Sequence, residues 1–538
     1  MHSPADDPAA GDPARGDPTP RGATDAAELT RGRIVVLLAS VLIVAVGGIA
    51  YELIIAAVGS YLIGNGVMQF SITIGLFMLA MGVGSLASQR IERHLVAWFI
   101  AVEIVLAVLG GYSSSILFWA FPGFALYRPV SYALILAIGS LVGLEIPILT
   151  RILSGATTWR AAIANVLSLD YFGALIGSVA FPLFLLPTLG LFRSSLGVGL
   201  LNALVAVATL VPFTPSLRRT VPKIAAALWA AAMAAVLLLA AGLAGSNWLR
   251  DRAESQLFTS NIVLRQQTPY QRVIVTRNER DGRIRLYLNG HLQFAEHDEY
   301  RYHESLVHPL LSLPGEIDNV LILGGGDGLA VRECRKFDGI ERIDLVDIDP
   351  AVTELAGRFE PLRRLNGDSL SDPRVTVHHA DAFTFLLNRP ETEPPFDRVI
   401  IDLPDPHDES LSKLYSVEFY RMIRRRLSDD GALVCQSSSP LFTRRTYWCV
   451  AETMRRAGFE TMSYGVNIPS FGPWGFHLAA TRPMTTDDIA IDESRTRYLT
   501  DATFLAATNF AADERPVSVA ANHLFEPTIY LYYLRDLR

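Results

Sequence analysis

Acidic residues recur in the second half of the chain, each directly after a short apolar run. A carboxylate held out of water can pair with an ammonium group or accept a proton from an amine. One such acid is often only the N-cap of the next helix, but a set of them would line one crevice with negative charge. We therefore predict a site for a cationic ligand. The acids are Asp327 in "GGGDG", Asp347 and Asp349 in "VDID", Asp381 in "HAD", and Asp402 and Asp405 in "DLPDP".

The glycine-rich turn at 324–328 adds a second signal. Glycines such as Gly324 and Gly326 let the backbone approach a ligand closely. Asp347 follows at roughly the twenty-residue spacing of an acid that holds ribose hydroxyls. Asp327 would repel a pyrophosphate but attract a cation. These features together predict a sulfonium nucleoside of the adenosylmethionine class, which carries a positive charge and no phosphate.

Such a site needs strand ends that meet, and the surrounding sequence predicts them. Strands alternate with helices, which indicates a doubly wound, mostly parallel sheet of Rossmann-like, methyltransferase type, with ligands at the carboxyl ends of its strands. Two β-rich runs before it, 261–277 and 284–294, predict a small antiparallel hairpin domain. The predicted strands are "NVLIL", "RIDLVDID", "RVTVHHAD", "DRVIIDL", "GALVCQSS", "FETMSYGV" and "GFHLAATR", and the helices include "AVTELAGRF" and "SVEFYRMIRRRL".

The first half of the chain is much more apolar than the second. Several of its runs reach the roughly 20 residues needed to cross a bilayer, so we predict a multi-span helical membrane domain with lipid as its partner. Seven segments are expected, at 34–62, 69–88, 95–121, 130–150, 170–190, 194–213 and 222–245. The predicted domains are a disordered tail at 1–30, a transmembrane domain at 31–246, the β domain at 247–300, the Rossmann-like domain at 301–485 and a C-terminal extension at 486–538.

Charge and cysteine usage exclude other classes. The formal net charge is −7, and no basic stripe is present, so nucleic-acid binding is not expected. Three cysteines, Cys334, Cys435 and Cys449, lie far apart without a CxxC pair. This spacing argues against a disulfide framework and against a zinc site, and no other metal site is predicted.

The motifs of the second half, taken in order, resemble those of the spermidine synthases, the polyamine aminopropyltransferases. The apolar first half is similar to the membrane-anchored version of this family found in some bacteria. The resemblance covers about 257–482 and is carried by "YQ" at 270–271, "LNGHLQFAEHDEYRYHESLVHPLL", "LILGGGDG", "VDIDP", "ADAF", "DLPDPHDESLSKLYSVEFY", "CQSSSP" and "IPSFGPWGF".

The resemblance implies transfer of an aminopropyl group from decarboxylated S-adenosylmethionine to putrescine, giving spermidine and 5′-methylthioadenosine without a prosthetic group. Asp402 takes the position of the general base and Asp405 that of an amine anchor. The remaining implied contacts are Gln271, Gly324, Gly326, Asp347 (ribose), Asp381 (adenine amino group) and Ala382 for the donor, and Tyr302, His303 and Asp327 for the polyamine. Soluble relatives assemble through their β domain, so a homo-oligomer is possible.

The chemistry of the residues agrees with that reaction. An alkyl amine has a pKa of about 10 and is protonated at neutral pH. It must lose a proton before it attacks carbon, and a carboxylate within hydrogen-bond reach can take that proton. The sulfonium leaves without help from an acid or a metal, so most of the remaining work is positioning. The second ammonium of a diamine needs its own carboxylate.

Several positions depart from the family pattern. Leu403 and Pro404 stand where the family has Ser or Thr, and Glu409 stands where it has a proline. Asp347 is one methylene shorter than the usual Glu, and Phe471 lacks the hydroxyl of a family tyrosine. None of these changes falls on Asp402, the residue at the position of the base. They leave open which amine is the acceptor.

Simpler interpretations exist for many of these residues. His303 could be a packing histidine, and Asp298 and Glu299 a solvated helix start. We expect a structural role for His308, His378 and His379, and a place in the core for Tyr415 and Phe419. In the apolar half, we expect the acids to pair with polar neighbours rather than to form a path for a polycation. These acids are Glu52, Glu103, Glu145 and Asp170.

Two other functions remain open at this point. One is an S-adenosylmethionine-dependent methyltransferase, which Asp327 disfavours because it would face the methionine carboxylate. The other is a membrane polyamine transporter or sensor, which the intact pair Asp402 and Asp405 disfavours.

The positions of the basic residues and the implied substrates favour opposite membrane topologies. Basic residues flank the first span and follow the second, fourth and sixth spans, which favours a cytoplasmic N-terminus. Seven full spans would then place the catalytic domain outside, yet the implied substrates are cytoplasmic. We therefore predict a multi-pass protein of the cell membrane with a cytoplasmic catalytic domain and an even number of crossings, with a re-entrant piece in 170–213 or a last segment lying along the membrane.

Overall fold

The computed structural model describes residues 29–64, 66–121, 124–254, 258 and 260–537. The predicted disordered tail lies outside these residues except for its last two positions. The described chain forms a helical bundle, a four-stranded sheet and a seven-stranded sheet covered by helices.

The bundle is built from long apolar helices rich in Ala and Leu, which are strong helix formers. The chain bends by 42° between the third and fourth helices, at Tyr112. The helices are α1 (Arg31–Ile63), α2 (Gly66–Ala87), α3 (Leu95–Gly111), α4 (Ser113–Ala120), α5 (Phe124–Leu153), α6 (Trp159–Ala180), α7 (Leu186–Thr220), α8 (Pro222–Ala244) and α9 (Ser246–Glu254), with a π-helical turn at Phe181–Leu185.

The helical run 159–220 reverses direction at Gly190. This residue has φ 68° and ψ 178°, a conformation outside the helical region that favours glycine. Before it, α6 runs parallel to α1, because Gly173 packs against Leu42 and, further along both helices, Gly177 packs against Ile49.

After Gly190, α7 runs antiparallel to α1. The hydroxyl oxygens of Thr209 and Ser40 lie 3.3 Å apart. Further along α7, and closer to the start of α1, Arg33 Nε donates a 3.0 Å hydrogen bond to the carbonyl of Pro212. The later residue of α7 therefore meets the earlier residue of α1, as in an antiparallel pair of helices.

Five of the described helical stretches are long and apolar enough to cross a membrane, and a sixth is added if α3 and α4 count as one. One of the five is the 62-residue run 159–220. Its length would be about 93 Å at roughly 1.5 Å per residue, against a hydrocarbon layer of about 30 Å. Because it reverses at Gly190 it makes two passes, so the described helices pass along the bundle seven times. The even number of membrane crossings stays a prediction.

The two ends of the bundle carry very different charge. Arg151 Nη1 donates to the carbonyl of Ile91 at 2.8 Å, and Leu29 packs near Gly155, so the start of α1 shares one end with the α2–α3 and α5–α6 turns. The α7–α8 turn lies at the same end. The basic residues of this end are Arg31, Arg33, Arg90, Arg93, Arg151, Arg160, Arg218, Arg219 and Lys223.

The opposite end holds the exit toward the sheets. Arg193, at the start of α7, donates a 3.0 Å hydrogen bond to Ser246 Oγ at the start of α9. Apart from Arg193, the described turns between helices at this end contribute only Arg128 as a basic residue. The sheets and the basic turns thus lie at opposite ends of the bundle.

The small sheet has four strands in the order β1-β2-β3-β4, all antiparallel. The predicted small antiparallel domain is confirmed, and it has four strands because each β-rich run contains a turn of its own. The second turn is Asn289–Gly290, with φ of 50° and 85°, the Asn-Gly signal of a tight hairpin. The strands are β1 (Asn261–Gln267), β2 (Arg272–Arg277), β3 (Ile284–Leu288) and β4 (His291–Ala295).

The large sheet confirms the seven predicted strands and the predicted doubly wound arrangement. Its order is β10-β11-β9-β8-β5-β6-β7, parallel from β9 to β7 and antiparallel at β10 and β11. The strands are β5 (Asn319–Gly324), β6 (Arg342–Asp347), β7 (Val375–His379), β8 (Phe396–Asp402), β9 (Leu427–Gln436), β10 (Glu460–Ile468) and β11 (Gly472–Ala480).

Helices cover both faces of this sheet, and residues near the C-terminus pack back onto it. The buried carboxylate of Glu304 accepts the backbone N–H groups of Arg497, Tyr498 and Leu499 at 2.7–3.0 Å. The helices are α10 (Glu299–Leu311), α11 (Leu329–Cys334), α12 (Pro350–Arg358), α13 (Glu360–Leu365), α14 (Ala382–Asn388), α15 (Glu409–Ser412), α16 (Val417–Arg424), α17 (Arg444–Arg456), α18 (Asp501–Ala507) and α19 (Thr528–Asp536).

Candidate active site

The predicted acids converge where β5 separates β6 from β8. In such sheets a crevice opens at the strand ends where the connections diverge to either side. Gly324, the last residue of β5, is the register partner of Asp402, the last residue of β8. A Cβ on Gly324 would lie 2.0 Å from the carbonyl oxygen of Asp402, and its φ is 82°. Only glycine allows this approach.

Asp402 is held by an aromatic hydroxyl from α10. Tyr302 Oη donates a 2.5 Å hydrogen bond to Asp402 Oδ1. Burial raises the pKa of Asp402, while His303 and the Tyr302 hydrogen bond oppose that rise. A carboxylate with a raised pKa and a fixed orientation suits proton transfer from an amine.

Asp327 lies on the other side of His303. Its Oδ1 caps the next turn by accepting the N–H of Leu329 at 2.9 Å. Burial raises the pKa of Asp327 to about 6, with His303 lowering it and Asp402 raising it further. Asp327 and Asp402 are therefore near enough to repel each other, which creates a demand for a cation between them.

His303 is buried and ordered by a neighbouring acid. Its Nδ1 lies 2.9 Å from Glu299 Oε2, and Arg332 holds the same carboxylate with bonds of 2.8 and 2.9 Å. Burial lowers the pKa of His303, but Glu299, Asp327 and Asp402 outweigh it and leave the pKa above its usual value. The imidazole thus bridges a structural ion pair and the two site acids.

Asp347 lies beneath the glycine turn. Its Oδ2 accepts the N–H of Gly326 at 3.0 Å, and its Oδ1 accepts that of Asp349 at 2.8 Å. A Cβ on Gly326 would lie 2.4 Å from Asp347 Oδ2. Burial raises the pKa of Asp347, against these two backbone bonds. The carboxylate is oriented at the end of β6 by these two backbone bonds.

Gln271 reaches the site from the small sheet. Its Nε2 donates to Asp349 Oδ2 at 3.0 Å, and Thr268 Oγ1 donates to the same oxygen at 2.8 Å. Asp349 also caps α12 through the N–H of Ala351. Gln271 is therefore next to Asp347 and ties the small sheet to the large one.

Asp381 has a partner that the sequence did not suggest. Its Oδ1 accepts the N–H of Thr384 as the N-cap of α14, and its Oδ2 accepts Lys413 Nζ at 2.9 Å. Burial raises its pKa, but Lys413 and Thr384 outweigh burial and leave the pKa low. Ala382, the first residue of α14, is buried beside it.

The turn 402–405 is fixed by side chains from other elements. Tyr415 Oη donates to the carbonyl of Pro404 at 2.8 Å, and Gln436 Nε2 donates to the carbonyl of Leu403. Gln436 also lies 3.0 Å from the Tyr415 hydroxyl. Tyr415 is buried as predicted, but it also takes part in shaping the site. Leu403 and Pro404 contribute only backbone carbonyls to this clamp.

Asp405 has one hydroxyl donor and a second hydroxyl close by. Ser438 Oγ donates to its Oδ2 at 3.0 Å, and Tyr533 of α19 lies close enough to lower the pKa of the same carboxyl. Burial raises the pKa of Asp405, and Ser438 and Tyr533 lower it. Ser438 has φ 65°, a strained value for a non-glycine residue. That strain places its hydroxyl at Asp405.

An aromatic wall closes the amine side. The ring of Tyr302 packs edge-on against Phe471 and Phe476, at 6.2 and 5.3 Å between centroids. Phe471 packs on Trp474 at 5.4 Å. The Trp474 Nε1 is buried and has no hydrogen-bond partner. The wall suits the methylene chain of an alkyl amine.

The structure agrees with some of the simpler interpretations and contradicts others. Asp298 is buried and accepts both the N–H and the hydroxyl of Ser470, so a solvated helix start is wrong for it. Glu299 is buried too. His308 and His378 pair with buried acids away from the site, as a structural role requires. The residues that sequence reasoning missed are Lys413, Gln436, Ser438 and Tyr533; "CQSSSP" contained two of them.

Several known proteins are similar to this chain. The family model described as a spermine/spermidine synthase domain matches residues 299–489. Polyamine aminopropyltransferase 1 of Streptomyces coelicolor is 44% identical over 519 residues, covering 94% of this chain and 95% of that protein. The polyamine aminopropyltransferase of Leptospira interrogans is 42% identical over 498 residues, covering 92% and 97%. The crystal structure of spermidine synthase from Thermotoga maritima is 24% identical and covers 47% of this chain and 85% of that one, with a TM-score of 0.41.

The similarity to the two bacterial enzymes extends through the helical bundle as well as both sheets, since more than nine-tenths of this chain is covered in each case. The acidic crevice at the ends of β5, β6 and β8 is the part of the molecule suited to a cationic substrate. The chain belongs to the polyamine aminopropyltransferase family and is an enzyme of that type.

Proposed function

We propose that the protein transfers the aminopropyl group of decarboxylated S-adenosylmethionine to putrescine, with Asp402 as the general base. The products are spermidine and 5′-methylthioadenosine. The observation that carries this proposal is the buried Asp402, which accepts the Tyr302 hydroxyl and lies near Asp327, with Asp405 also close to Tyr302.

The reaction is a single displacement at carbon. The lone pair of the putrescine nitrogen forms a bond to the aminopropyl carbon attached to sulfur, and the carbon–sulfur bond breaks. Its electron pair stays on sulfur, which becomes a neutral thioether. The proton of the attacking nitrogen goes to Asp402, whose raised pKa brings it nearer to that of the amine.

The donor has its own set of contacts. Asp347 would hold the ribose hydroxyls, with Gln271 beside it, and Asp381 and Ala382 would meet the adenine. The backbone of the glycine turn, including Gly324 and Gly326, would pass close to the ribose. Asp327 would face the free ammonium of the aminopropyl group and disfavour a donor that still carries a carboxylate.

The acceptor would lie between the aromatic wall and the second acid. Asp405, presented by Ser438 and Tyr533, suits the remote ammonium of a diamine, which must not be buried without a counter-charge. Tyr302 and His303 border the reacting nitrogen. A short diamine such as putrescine fits this arrangement of acids at both ends.

One assay tests the activity. Purified full-length protein is incubated with putrescine and either decarboxylated or ordinary S-adenosylmethionine, and the products are identified by mass spectrometry. Spermidine and 5′-methylthioadenosine are expected with the decarboxylated donor only. A methylated amine would indicate the methyltransferase, and no product with any donor would contradict the proposal.

The bundle is proposed to span the cell membrane. Large apolar side chains are exposed along it, including Leu183, Leu86 and Met78 at 66–75%. Exposed tryptophans lie at both ends, as in the aromatic belts of membrane proteins. Trp98 and Trp119 are separated by 21 helical positions, about 31 Å, which matches a hydrocarbon layer of roughly 30 Å.

The charges of the turns support one orientation. Basic residues near the ends of the spans favour the cytoplasm, and most of them lie at the end away from the sheets, although Arg250 and Arg252 of α9 lie at the sheet end. With seven passes, the catalytic domain is then proposed to lie on the outer face of the membrane. A cytoplasmic catalytic domain, which requires an even number of crossings, is the alternative.

A further inference from the structure

Four acidic residues lie along the middle of the bundle helices, away from the ends where the basic residues lie. They are Glu52 of α1, Glu103 of α3, Glu145 of α5 and Asp170 of α6. Glu103 and Glu145 are almost completely buried, with 0% and 2% of their surface exposed. An ionisable group buried among apolar helices is costly and is often functional.

Two contacts of α1 place side chains from α5 and α7 at one level of the bundle. A Cβ on Gly47 would lie 2.7 Å from Oδ1 of Asn202, and a Cβ on Gly48 would lie 3.2 Å from the side chain of Val142. Glu145 lies three residues beyond Val142, on the same face of α5. Asn202 and Glu145 therefore lie on the sides of their helices that face this part of α1.

Tyr51 of α1 connects this level with α3. Its ring packs on Gly110, where a Cβ would lie 2.5 Å from the ring, and Glu103 lies about two turns before Gly110 on the same face. Glu103 and Glu145 lie close enough for their charges to interact. The hydroxyl of Tyr51 is close to both carboxyl groups, and Asp170 is close to that of Glu145. None of these neighbours is basic.

The two buried carboxyl groups lack hydrogen-bond donors. Within the described residues, both oxygens of Glu103 and Oε1 of Glu145 have no hydrogen-bond partner. The same is true of the Tyr51 hydroxyl and of both polar atoms of the Asn202 side chain, which are buried as well. The sequence predicts that these acids pair with polar neighbours, but that pairing does not reach these three carboxyl oxygens.

The charge of the pair needs a cation, and the surrounding helices do not provide one. The basic residues of α1 to α8 lie near the helix ends, and α2 has no ionisable residue. A metal ion would need several ligands, and the described part of the chain contains no group of three acids, histidines or cysteines that could hold one. A proton needs no cavity, and it converts one carboxyl group into a donor for the other. Two neighbouring buried carboxyl groups resist ionising together for the same reason.

We propose that Glu103 and Glu145 share one proton and form a proton-binding site inside the bundle. The proton is taken up from water, bonds to one carboxyl oxygen and forms a hydrogen bond to the other carboxyl group. The pair then carries one negative charge instead of two, and the Tyr51 hydroxyl is a further donor to it. The site is separate from the acidic crevice, so the inference does not depend on the transferase reaction.

Infrared spectroscopy of the full-length protein in a neutral detergent counts the protons on the pair. A protonated carboxyl group has a C=O stretching band that an ionised carboxylate lacks. The spectra of Glu103→Gln, Glu145→Gln and the double variant are each subtracted from that of the wild type at neutral pH. Glu92→Gln, a change at an exposed acid, is the matched control.

Each of the three differences should show one protonated carboxyl group, and the control should show none. A single variant removes the whole band because its amide donates the N–H that replaces the shared proton, which leaves the other carboxyl group ionised. The double variant should remove no more than either single variant, since the pair holds only one proton.

Three other results would overturn the inference. No band in any difference would mean that the pair holds no proton. A band for only one of the single variants would assign the proton to one residue alone. Two carboxyl groups in the double-variant difference would mean that each residue holds its own proton. If a single variant fails to fold, the double variant, whose two amides can bond to each other, still distinguishes one proton from none or two.

Discussion

The hydroxyl of Tyr302 donates a 2.5 Å hydrogen bond to Oδ1 of Asp402. This contact joins α10 to the end of β8 and fixes one carboxylate oxygen, so that the other can face the attacking nitrogen. It also opposes the effect of burial, which raises the pKa of Asp402. The carboxyl group of Asp402, the proposed base, is thereby held in a defined orientation, and the rise of its pKa is limited.

Replacing Tyr302 with Phe should therefore shift the pH dependence of turnover. Asp402 acts in its ionised form, so the rate falls as pH drops through its pKa. Loss of the hydrogen bond to the ionised form raises that pKa, and the acidic limb should move to higher pH by about one unit, equivalent to roughly 1.4 kcal/mol. The measurement is kcat against pH. Tyr498→Phe, outside the crevice, should leave the acidic limb of the pH profile unchanged. If the acidic limb of Tyr302→Phe is also unchanged, Tyr302 does not influence the pKa of the base.

Asp327 should set the preference for the decarboxylated donor, and this preference should depend on pH. Its pKa is raised to about 6, chiefly by burial, so its negative charge is present above that pH and lost below it. Discrimination against ordinary S-adenosylmethionine should weaken as pH falls through about 6. Asp327→Asn should weaken it above that pH and remove its dependence on pH. Calorimetry with both donors checks this, and unchanged relative affinities would mean that Asp327 has another role.

Tyr533 should contribute to amine binding from the C-terminal helix. Its hydroxyl lies near Asp405 and lowers the pKa of that carboxyl, so Tyr533→Phe should raise the KM for putrescine by roughly 2–10-fold, the effect of losing one polar contact. The affinity for the donor should not change. Tyr532→Phe is the matched control, because that neighbouring hydroxyl instead accepts from the N–H of Ala520. A similar KM change in both variants would point to general loosening of α19.

The orientation proposal makes a simple prediction for reporter fusions. Alkaline phosphatase attached after Arg538 should be active, and a fluorescent protein that folds only in the cytoplasm should be dark. The reverse pattern should hold for fusions in the α7–α8 turn, next to Arg218 and Arg219. Fluorescence from the C-terminal fusion would place the catalytic domain inside and require an even number of crossings.

The sequence predicted the acids of the site because parallel strands bring their carboxyl ends together. Asp327, Asp347 and Asp402 each follow an apolar strand, so local pattern was enough to place them on one edge. The Asn289–Gly290 turn was also readable from the sequence, because Asn-Gly is typical of a tight hairpin. Nothing local marked Tyr533 or Lys413, which approach Asp405 and Asp381 through long-range packing of α19 and of the segment after α15. The predicted boundary between the segments 170–190 and 194–213 agrees with the reversal at Gly190.

Turnover of Asp402→Asn tests whether Asp402 removes the proton from the attacking amine. Asparagine keeps the size of the side chain but cannot accept the proton, so kcat should fall by roughly 10²–10⁴-fold, while calorimetry should show donor binding close to that of the wild type. Asp487→Asn, an exposed acid far from the crevice in sequence, should retain full activity. Turnover of Asp402→Asn near the wild-type rate would contradict the account.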